Sequence, residues 1–382
     1  MPQLTSEFLI FVAVFVAVFW RVGERVRPYL LAAAGTTFLV LWDPISCGML
    51  FALTGGVYAL CRRRARGIWW AGLIGLIVLF AALKSWAALG QRGVLPAIVV
   101  PLGFGFYILK LIHYWIDSDV GEIEEHSFLQ FYNYMFFFPT LMVGPIHRFD
   151  PFLREERRLR WDGAKFAEGL RRMLYGYAKV VILANWAVAY LLPGYLLGGL
   201  TPGTTPWVFL ECVTYGLYLY FAFAGYSDIA IGISRLLGQT VCENFHRPFT
   251  RRNIAEFWRS WHMSLSEWCR RYIFTPALAR WRQPALAVIA TMLTIGLWHE
   301  FTLRYVLWGL YHGVGLAVHR VYAAAIAKRL PEPRHPALRG LGVGLSTATT
   351  FVFVMAGFAI TKNESFADTA EDFRILLLGW RS

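Results

Sequence analysis

The sequence predicts an all-α membrane protein that crosses the bilayer several times. Of its 382 residues, 57% are hydrophobic and only 16% are charged, and the mean hydropathy is +0.47. Because soluble domains carry roughly 25% charged residues, most of this protein's surface cannot face water. Apolar runs long enough for helices recur along the chain between short basic loops, and a spanning helix needs about 20 such residues.

We predict about ten or eleven membrane helices, some of them short and tilted. The candidate segments are 7–20, 28–42, 45–60, 68–89, 96–116, 127–146, 173–192, 207–235, 284–299, 303–326 and 341–361. No polar linker divides the chain, so we expect a single membrane-embedded domain in three parts. These are N-terminal helices in residues 1–95, a core in residues 96–326, and a cytoplasmic loop, last membrane helix and tail in residues 327–382.

The distribution of basic residues predicts the orientation. Lys and Arg concentrate in cytoplasmic loops, which places Arg21–Arg27 and Arg62–Arg66 in the cytoplasm and the uncharged loop Pro193–Pro206 outside. The same bias explains the net charge of +13 without a nucleic-acid partner. The run Phe8–Trp20 lacks the preceding basic residues of a signal peptide, so we expect it to remain as a first membrane segment. The predicted location is the cytoplasmic (inner) membrane.

Two segments depart from regular spanning helices. Segment 127–146 contains Pro139 and Pro145, which disrupt a straight helix, so we predict a broken or re-entrant segment that forms a cavity wall. Segment 247–282 is rich in Trp and Arg, and the helical spacing of Trp258, Trp261, Leu265 and Trp268 predicts one amphipathic helix at the membrane interface.

His299 is the strongest candidate for chemistry. It ends a run that has carried no charge since Arg282, and ionisable residues within membrane segments are costly and are functional candidates by default. A buried, uncharged imidazole there would accept a proton from a hydroxyl group. The alternative is a structural histidine that bonds a neighbouring carbonyl.

His262 precedes Ser266 by four residues in the predicted amphipathic helix, so the two side chains would share a face. They suggest a base and a nucleophile, but no acid completes the set. We therefore expect His262 and Ser266 to line a cavity as polar groups. An interfacial histidine without a catalytic role is the alternative.

Metal binding is a weaker hypothesis. His312 and His319 lie seven residues apart in segment 303–326, on roughly one face. Metal sites need three or four convergent ligands, and neither the histidines nor the five scattered cysteines have the spacing of a known metal motif. We predict no metal and no bound cofactor.

A further polar cluster comprises Tyr226, Ser227, Asp228 and Asn244, with Arg247 and Pro248 beside it in the sequence. Asp228 interrupts an apolar helix and needs a partner there, for which Arg235 or an arginine of the following loop is the natural choice. We expect this cluster to brace the floor of the cavity.

Five motifs in this order resemble the membrane-bound O-acyltransferase family in its bacterial branch. They are Phe-Phe-Phe-Pro through Gly-Pro-Ile-His-Arg-Phe at 136–149, Gly-Tyr-Ser-Asp-Ile-Ala-Ile-Gly at 225–232, Glu-Asn-Phe-His-Arg-Pro-Phe at 243–249, Phe-Trp-Arg-Ser-Trp-His-Met-Ser-Leu-Ser-Glu-Trp at 257–268, and Gly-Leu-Trp-His through Leu-Trp-Gly-Leu-Tyr-His-Gly at 296–313. The resemblance covers about residues 95–325, and the first hundred residues match only as apolar helices.

The resemblance implies a ring of tilted helices around a thinned centre, with tunnels that meet at the catalytic histidine. His299 corresponds to the family's Trp-His histidine and His262 to its second polar position. The tunnel residues would then be Trp298, Trp261, Ser266, Asn244, Tyr226, Asp228 and Glu300. In similar bacterial proteins a short acyl group arrives from a cytoplasmic thioester, on an acyl carrier protein or coenzyme A, and leaves on an extracytoplasmic hydroxyl. A membrane-anchored partner often completes transfer to a polymer.

The sequence departs from the pattern at two places. Thr-Pro-Ala-Leu occupies 275–278, where many alginate-acetylation-like members have Leu-Gly-Gly, and Glu300 follows the histidine where glycine is common. A carboxylate at Glu300 would orient the ring of His299 or favour its charged form, unless it faces water. The choice between acetyl and D-alanyl transfer stays open.

Arg247, Arg251 and Arg252 are candidates to dock an acidic carrier protein or the phosphates of coenzyme A, because arginine binds phosphate and carboxylate groups bidentately. Two other functions remain as alternatives: a transporter or flippase for a lipid-linked sugar, and a non-catalytic membrane scaffold. A transporter would usually show paired repeats, and the sequence has none that we detect.

Overall fold

A computed structural model describes residues 2–63, 66–91, 103–325 and 335–379, and no strand occurs among them. The predicted all-α class is confirmed. The described helices are α1 Ser6–Arg21, α2 Arg27–Trp42, α3 Pro44–Cys61, α4 Arg66–Gln91, α5 Phe104–Asp119, α6 Phe128–Met135, α7 Phe138–Leu141, α8 Phe149–Arg157, α9 Gly163–Tyr177, α10 Leu192–Leu197, α11 Thr205–Leu236, α12 Ile254–Trp258, α13 Met263–Cys269, α14 Thr275–Trp281, α15 Pro284–His299, α16 Leu303–Ala325, α17 Pro336–Lys362 and α18 Phe366–Leu378. Two π-helical stretches, Ala178–Leu191 and Arg270–Phe274, join α9 to α10 and α13 to α14.

Five stretches among the described residues are long and apolar enough to cross a membrane. They are Pro44–Cys61, Gly67–Gly90, Gly163–Leu197, Thr205–Leu236 and Pro336–Lys362. Helices α1, α2, α5 and α15 have 16 residues each, or about 24 Å at 1.5 Å per residue. They are shorter than the bilayer core of about 30 Å. The chain is a multi-pass membrane protein, and the exact number of crossings stays a prediction.

The chain divides into two compact units. The first comprises Met1–Ala178 and Gly225–Glu243, and the second comprises Lys179–Ala224 and Asn244–Ser382. One of the three boundaries, between Ala224 and Gly225, falls within α11. The start of predicted segment 96–116 and part of the predicted cytoplasmic loop 327–339 lie outside the described residues. The three-part division of the sequence stays a prediction.

Segment 127–146 is broken, as predicted, and belongs to the first unit. Helix α6 ends at Met135 and the four-residue α7 begins at Phe138 with Pro139 in its first turn. All residues from Phe131 to Met142 are buried. Backbone that leaves the helix at membrane depth is tolerated when protein surrounds it, and that condition holds here. A ring stack of Tyr132 on Phe136, with centroids 4.2 Å apart, packs across the break.

Segment 247–282 corrects the prediction of one continuous amphipathic helix. Helix α12 ends at Trp258 and α13 begins at Met263, with His262 between them in the left-handed region at φ 44° and ψ 54°. A left-handed residue cannot continue an α-helix. Therefore Trp258 and Trp261 do not share a helical face with Leu265 and Trp268.

Candidate active site

His299 lies at the C-terminal end of α15, which packs tightly against α16. The two backbones approach because glycine occupies the contacts. A Cβ built on Gly296 would lie 2.2 Å from the carbonyl oxygen of Tyr305, and one built on Gly309 would lie 2.7 Å from that of Met292. Small residues of this kind allow close packing of membrane helices. The tight pair fixes the position at which α15 ends, and therefore the position of His299.

The ring of His299 is half-buried, which corrects the expectation of a fully buried side chain. It stacks on Tyr305 at a centroid distance of 5.6 Å and meets the edge of Trp308 at the same distance. Trp298 lies 4.8 Å away. Aromatic rings thus hold the imidazole on several sides while part of it stays accessible.

His262 is 2% exposed, so other residues of the protein enclose its ring almost completely. Its ring packs edge-on against Phe223 at 4.7 Å and against Trp298 at 5.9 Å. Burial lowers the pKa of His262 well below its ordinary value, and the neighbouring His299 lowers it further. Since Trp298 contacts both histidines, the two imidazoles predicted from the sequence belong to one ring cluster of the second unit.

Asn244 holds the backbone that follows His262. Its carbonyl oxygen accepts from the N–H of Met263 at 2.9 Å, and its side-chain Oδ1 accepts from the hydroxyl of Ser264 at 2.6 Å. All three of His262, Asn244 and Ser264 are buried. A non-glycine residue in the left-handed region costs roughly 1 kcal/mol, so these bonds stabilise a turn that is otherwise unfavourable.

The predicted pairing of His262 with Ser266 on one helical face is wrong. His262 is the residue before α13, and the hydroxyl of Ser266 donates to the carbonyl oxygen of Trp261 at 3.3 Å. Trp261 itself is half-buried and stacks on Phe257 at 5.6 Å. Ser266 therefore has a structural bond in place of the expected contact with the imidazole.

Glu300 forms a salt bridge with Arg304 at 2.8 Å. Arg304 also donates to the carbonyl oxygen of Asn363, so the start of α16 is tied to the end of α17. The side chain of Glu300 is 29% exposed. The influence of Glu300 on the ring of His299 stays a prediction.

Asp228 and Tyr226 belong to the first unit, whereas Asn244 belongs to the second. Asp228 forms a salt bridge with Arg172 of α9, whose Nε lies 2.7 Å from Oδ1. The predicted partner Arg235 instead binds Glu168. Arg172 also binds Glu243. The buried carboxylate of Asp228 thus ties α9 to the last part of α11. Tyr226 is half-buried.

The three arginines differ in their surroundings. Arg247 and Arg252 are exposed, and Arg251 is half-buried with its guanidinium donating to the carbonyl oxygen of His246. Arg247 is left-handed at φ 49°. Two guanidinium groups therefore remain open to solvent near the start of α12.

His312 was not among the site residues predicted from the sequence. Its ring is 3% exposed and lies 4.9 Å from Trp308 and 5.3 Å from Trp258. Trp308 contacts both His312 and His299, so His312 adjoins the same cluster. The position of His312 in the last quoted motif is the signal that would have drawn attention to it.

A family model for the membrane-bound O-acyltransferases matches residues 8–338. The chain belongs to this family. It is therefore a membrane-embedded acyltransferase. A protein described as a probable alginate O-acetylase from Pseudomonas aeruginosa is 32% identical over 93% of this chain and 71% of its own length.

The names of two further relatives specify a different acyl group or a different acceptor. A teichoic acid D-alanyltransferase from Bacillus subtilis is 29% identical over 69% of each chain. A peptidoglycan O-acetyltransferase from Helicobacter pylori is 31% identical over 60% of this chain and 49% of its own length. The relatives of this membrane O-acyltransferase thus include proteins named as acetyl transferases and proteins named as D-alanyl transferases.

Proposed function

We propose that this O-acyltransferase moves an acetyl group from a cytoplasmic thioester to a hydroxyl of an extracytoplasmic envelope polysaccharide, with His299 as general base. The supporting observation is the half-buried ring of His299 at the end of α15, held by Tyr305, Trp308 and Trp298. A ring that is held yet partly accessible can meet a substrate in one orientation, as proton transfer requires.

In the proposed reaction the acceptor hydroxyl oxygen attacks the carbonyl carbon of the thioester. A C–O bond forms, the C–S bond breaks, and His299 takes the hydroxyl proton. That proton then passes to the departing thiolate. General base catalysis of this kind contributes roughly 10²–10⁴-fold, and positioning of the reactants adds to it.

His262 acts as the second polar group of the site. Its uncharged ring can donate one hydrogen bond and accept another, which suits it to hold the acceptor hydroxyl or the carbonyl oxygen of the donor. Its burial and its contact with Trp298 support this role. Asn244 is a positioning residue, because it fixes the turn that presents His262.

Acetyl is favoured over D-alanyl by the extent of similarity. Alginate O-acetylases of five Pseudomonas and Azotobacter strains align with 93% of this chain, whereas the D-alanyltransferases align with 67–69%. An O-acetylated polysaccharide is accordingly the proposed product. D-alanyl transfer is the second candidate, supported by the same family and by the absence of Leu-Gly-Gly at 275–278.

The donor side is proposed to face the cytoplasm at Arg247, Arg251 and Arg252 in the inner membrane. Exposed guanidinium groups suit the phosphates of coenzyme A or an acidic carrier protein. A membrane-anchored transferase on the other side is proposed to extend the transfer to the long polymer, whereas short oligosaccharides reach the site without it. Replacing Arg247 and Arg252 by Glu should weaken donor binding tenfold or more, and unchanged donor affinity would reject this docking site.

Proteoliposomes test the donor and the direction together. The protein is inserted into vesicles that enclose oligosaccharides of alginate, and radiolabelled acetyl-coenzyme A is added outside. Hydroxylamine-labile label on the enclosed sugar is the expected product. A parallel reaction uses D-alanyl carrier protein and enclosed lipoteichoic acid. Label only in that second reaction would replace acetyl by D-alanyl. A third reaction has the sugar outside the vesicles with the donor, and label only in that reaction would reject the proposed direction.

A further inference from the structure

A small polar cavity lies in the first unit beside the turn between α1 and α2. Its volume is about 150 Å³. The charged and polar lining residues are Glu24, Arg27, Glu156, Arg157 and Gln239. The lining therefore has both basic and acidic side chains, so the cavity suits a ligand that carries both signs of charge.

Three lining side chains keep buried polar atoms that form no hydrogen bond within the described part of the chain. These atoms are Nε of Arg27, Oε2 of Glu156 and Oε1 of Gln239. Gln239 is only 2% exposed. Because buried polar atoms are normally paired, one donor and two acceptors without partners around one cavity indicate a ligand with complementary groups.

The donor and the acceptors match opposite ends of such a ligand. Arg27 forms no salt bridge in the described ranges and lies over the ring of Trp20 at 4.9 Å. A guanidinium group of this kind binds phosphate. Glu156 Oε1 accepts from Asn133 at 2.8 Å, which leaves Oε2 for another donor. Glu156 and Gln239 together would accept N–H bonds from a primary ammonium group.

An apolar groove lies between α1 and α2, next to the cavity. It has a volume of about 590 Å³, and its lining includes Ile10, Val14, Phe15, Val18, Leu30 and Ala34. Phe15 in the groove contacts Phe19 in the cavity, with ring centroids 5.7 Å apart. On α2, Leu31 of the cavity precedes Ala34 of the groove by three residues, so both voids follow the same helix pair.

The length and exposure of the groove suit an acyl chain. From Ile10 to Val18 the helix rises about 12 Å, close to the depth of one leaflet, about 15 Å. Ile10, Val14 and Val18 are 63%, 59% and 41% exposed. At the cavity end Trp20 and the exposed Trp161 lie 5.1 Å apart, and tryptophan favours the level of the lipid headgroups.

We propose that the first unit binds one aminophospholipid, with the phosphate at Arg27, the ammonium group at Glu156 and Gln239, and an acyl chain in the groove between α1 and α2. A primary ammonium is preferred to a quaternary one because both acceptors need N–H donors. Anionic headgroups that lack an ammonium group would leave Glu156 and Gln239 without partners. This binding site is independent of the proposed role of His299.

Lipid retention tests the specificity. The purified full-length protein is placed in nanodiscs of equal parts phosphatidylethanolamine, phosphatidylcholine and phosphatidylglycerol, then extracted into detergent, and the retained lipid is measured by mass spectrometry. We expect at least fivefold enrichment of phosphatidylethanolamine. Arg27→Gln and Gln239→Leu should each abolish it, whereas Arg25→Gln, an exposed arginine of the same turn, should keep it. No enrichment in the wild type, or equal enrichment in Arg27→Gln and Arg25→Gln, overturns the proposal.

A second comparison separates a lipid from a soluble ligand. Val14→Trp fills the groove, while Val40→Trp adds the same bulk at an exposed position of α2 outside it. Only Val14→Trp should reduce the enrichment. Glycerophosphoethanolamine, which has the headgroup without acyl chains, should displace the lipid at least tenfold less effectively than the phospholipid itself. Equal displacement would identify a soluble ligand. Size-exclusion profiles establish that each variant is folded. If Arg27→Gln does not fold, the comparison of lipid enrichment between Gln239→Leu and Arg25→Gln tests the proposal.

Discussion

The side-chain oxygen of Asn244 accepts the hydroxyl hydrogen of Ser264 at 2.6 Å across twenty residues of sequence. Both residues are buried, and Ser264 follows His262 by two positions. Together with the backbone bond from Met263 to Asn244, this contact fixes the left-handed turn at His262. The turn positions an imidazole that no regular helix would place there.

Asn244→Ala should therefore lower both stability and transferase activity. The hydroxyl of Ser264 would lose its acceptor, which costs about 1–3 kcal/mol for a buried group. Ser264→Ala should cost less, about 0.5–1.5 kcal/mol. The double variant should be less destabilised than the sum of the two, as denaturant unfolding in detergent would show. Strict additivity would contradict a direct bond between these side chains.

The close contact of α15 with α16 gives a second prediction. Gly296→Ala should strongly destabilise the protein and reduce turnover, because its Cβ would lie 2.2 Å from the carbonyl oxygen of Tyr305. Overpacking of this kind typically costs about 1–3 kcal/mol. Gly342→Ala is the control, since a Cβ there meets nothing within 4 Å on α17. The thermal midpoint of each variant measures the effect, and equal midpoints would show that the helices can separate freely.

The pH dependence of stability should report on Glu156 of α8. Burial raises the pKa of Glu156 to about 7, against smaller lowering effects of Asn133 and Arg157. An unfolded glutamate has a pKa of about 4.3, so the folded protein binds more protons between these values. Its stability then falls as the pH rises from about 4.3 through about 7.

Glu156→Gln should remove that part of the decline. Thermal midpoints measured between pH 5 and pH 8 should fall less steeply in Glu156→Gln than in the wild type. Glu364→Gln, a change at an exposed carboxylate, should leave the slope as it is. Identical slopes in the wild type and Glu156→Gln would contradict the burial of this group.

Much of the fold was predictable because membrane helices follow from hydrophobic length. The break in segment 127–146 followed from Pro139 and Pro145, and the end of α15 at His299 followed from the end of its apolar run. The turn at His262 was not predictable, because its helical spacing of apolar residues is regular. The turn is held by hydrogen bonds to Asn244, which lies eighteen residues before His262 in the sequence.

Salt bridges between residues that are distant in the sequence could not be predicted either. Asp228 was expected to pair with Arg235 or with an arginine of the following loop, but Arg172 from α9 forms a salt bridge with it. Glu300 pairs with Arg304, four residues later in the sequence. This pair could be predicted only once the start of α16 at Leu303 was known. The roles of His299 and His262 in acyl transfer stay predictions.

The most direct test of the account is the transfer activity of His299 variants. His299→Ala and His299→Gln are compared with His319→Gln, another half-buried histidine of the second unit, in the vesicle assay with labelled acetyl-coenzyme A. We expect both His299 variants to fold and insert normally and to lose activity by 10²-fold or more, while His319→Gln keeps it. Activity of His299→Gln within threefold of the wild type would contradict the proposal that this imidazole is the general base.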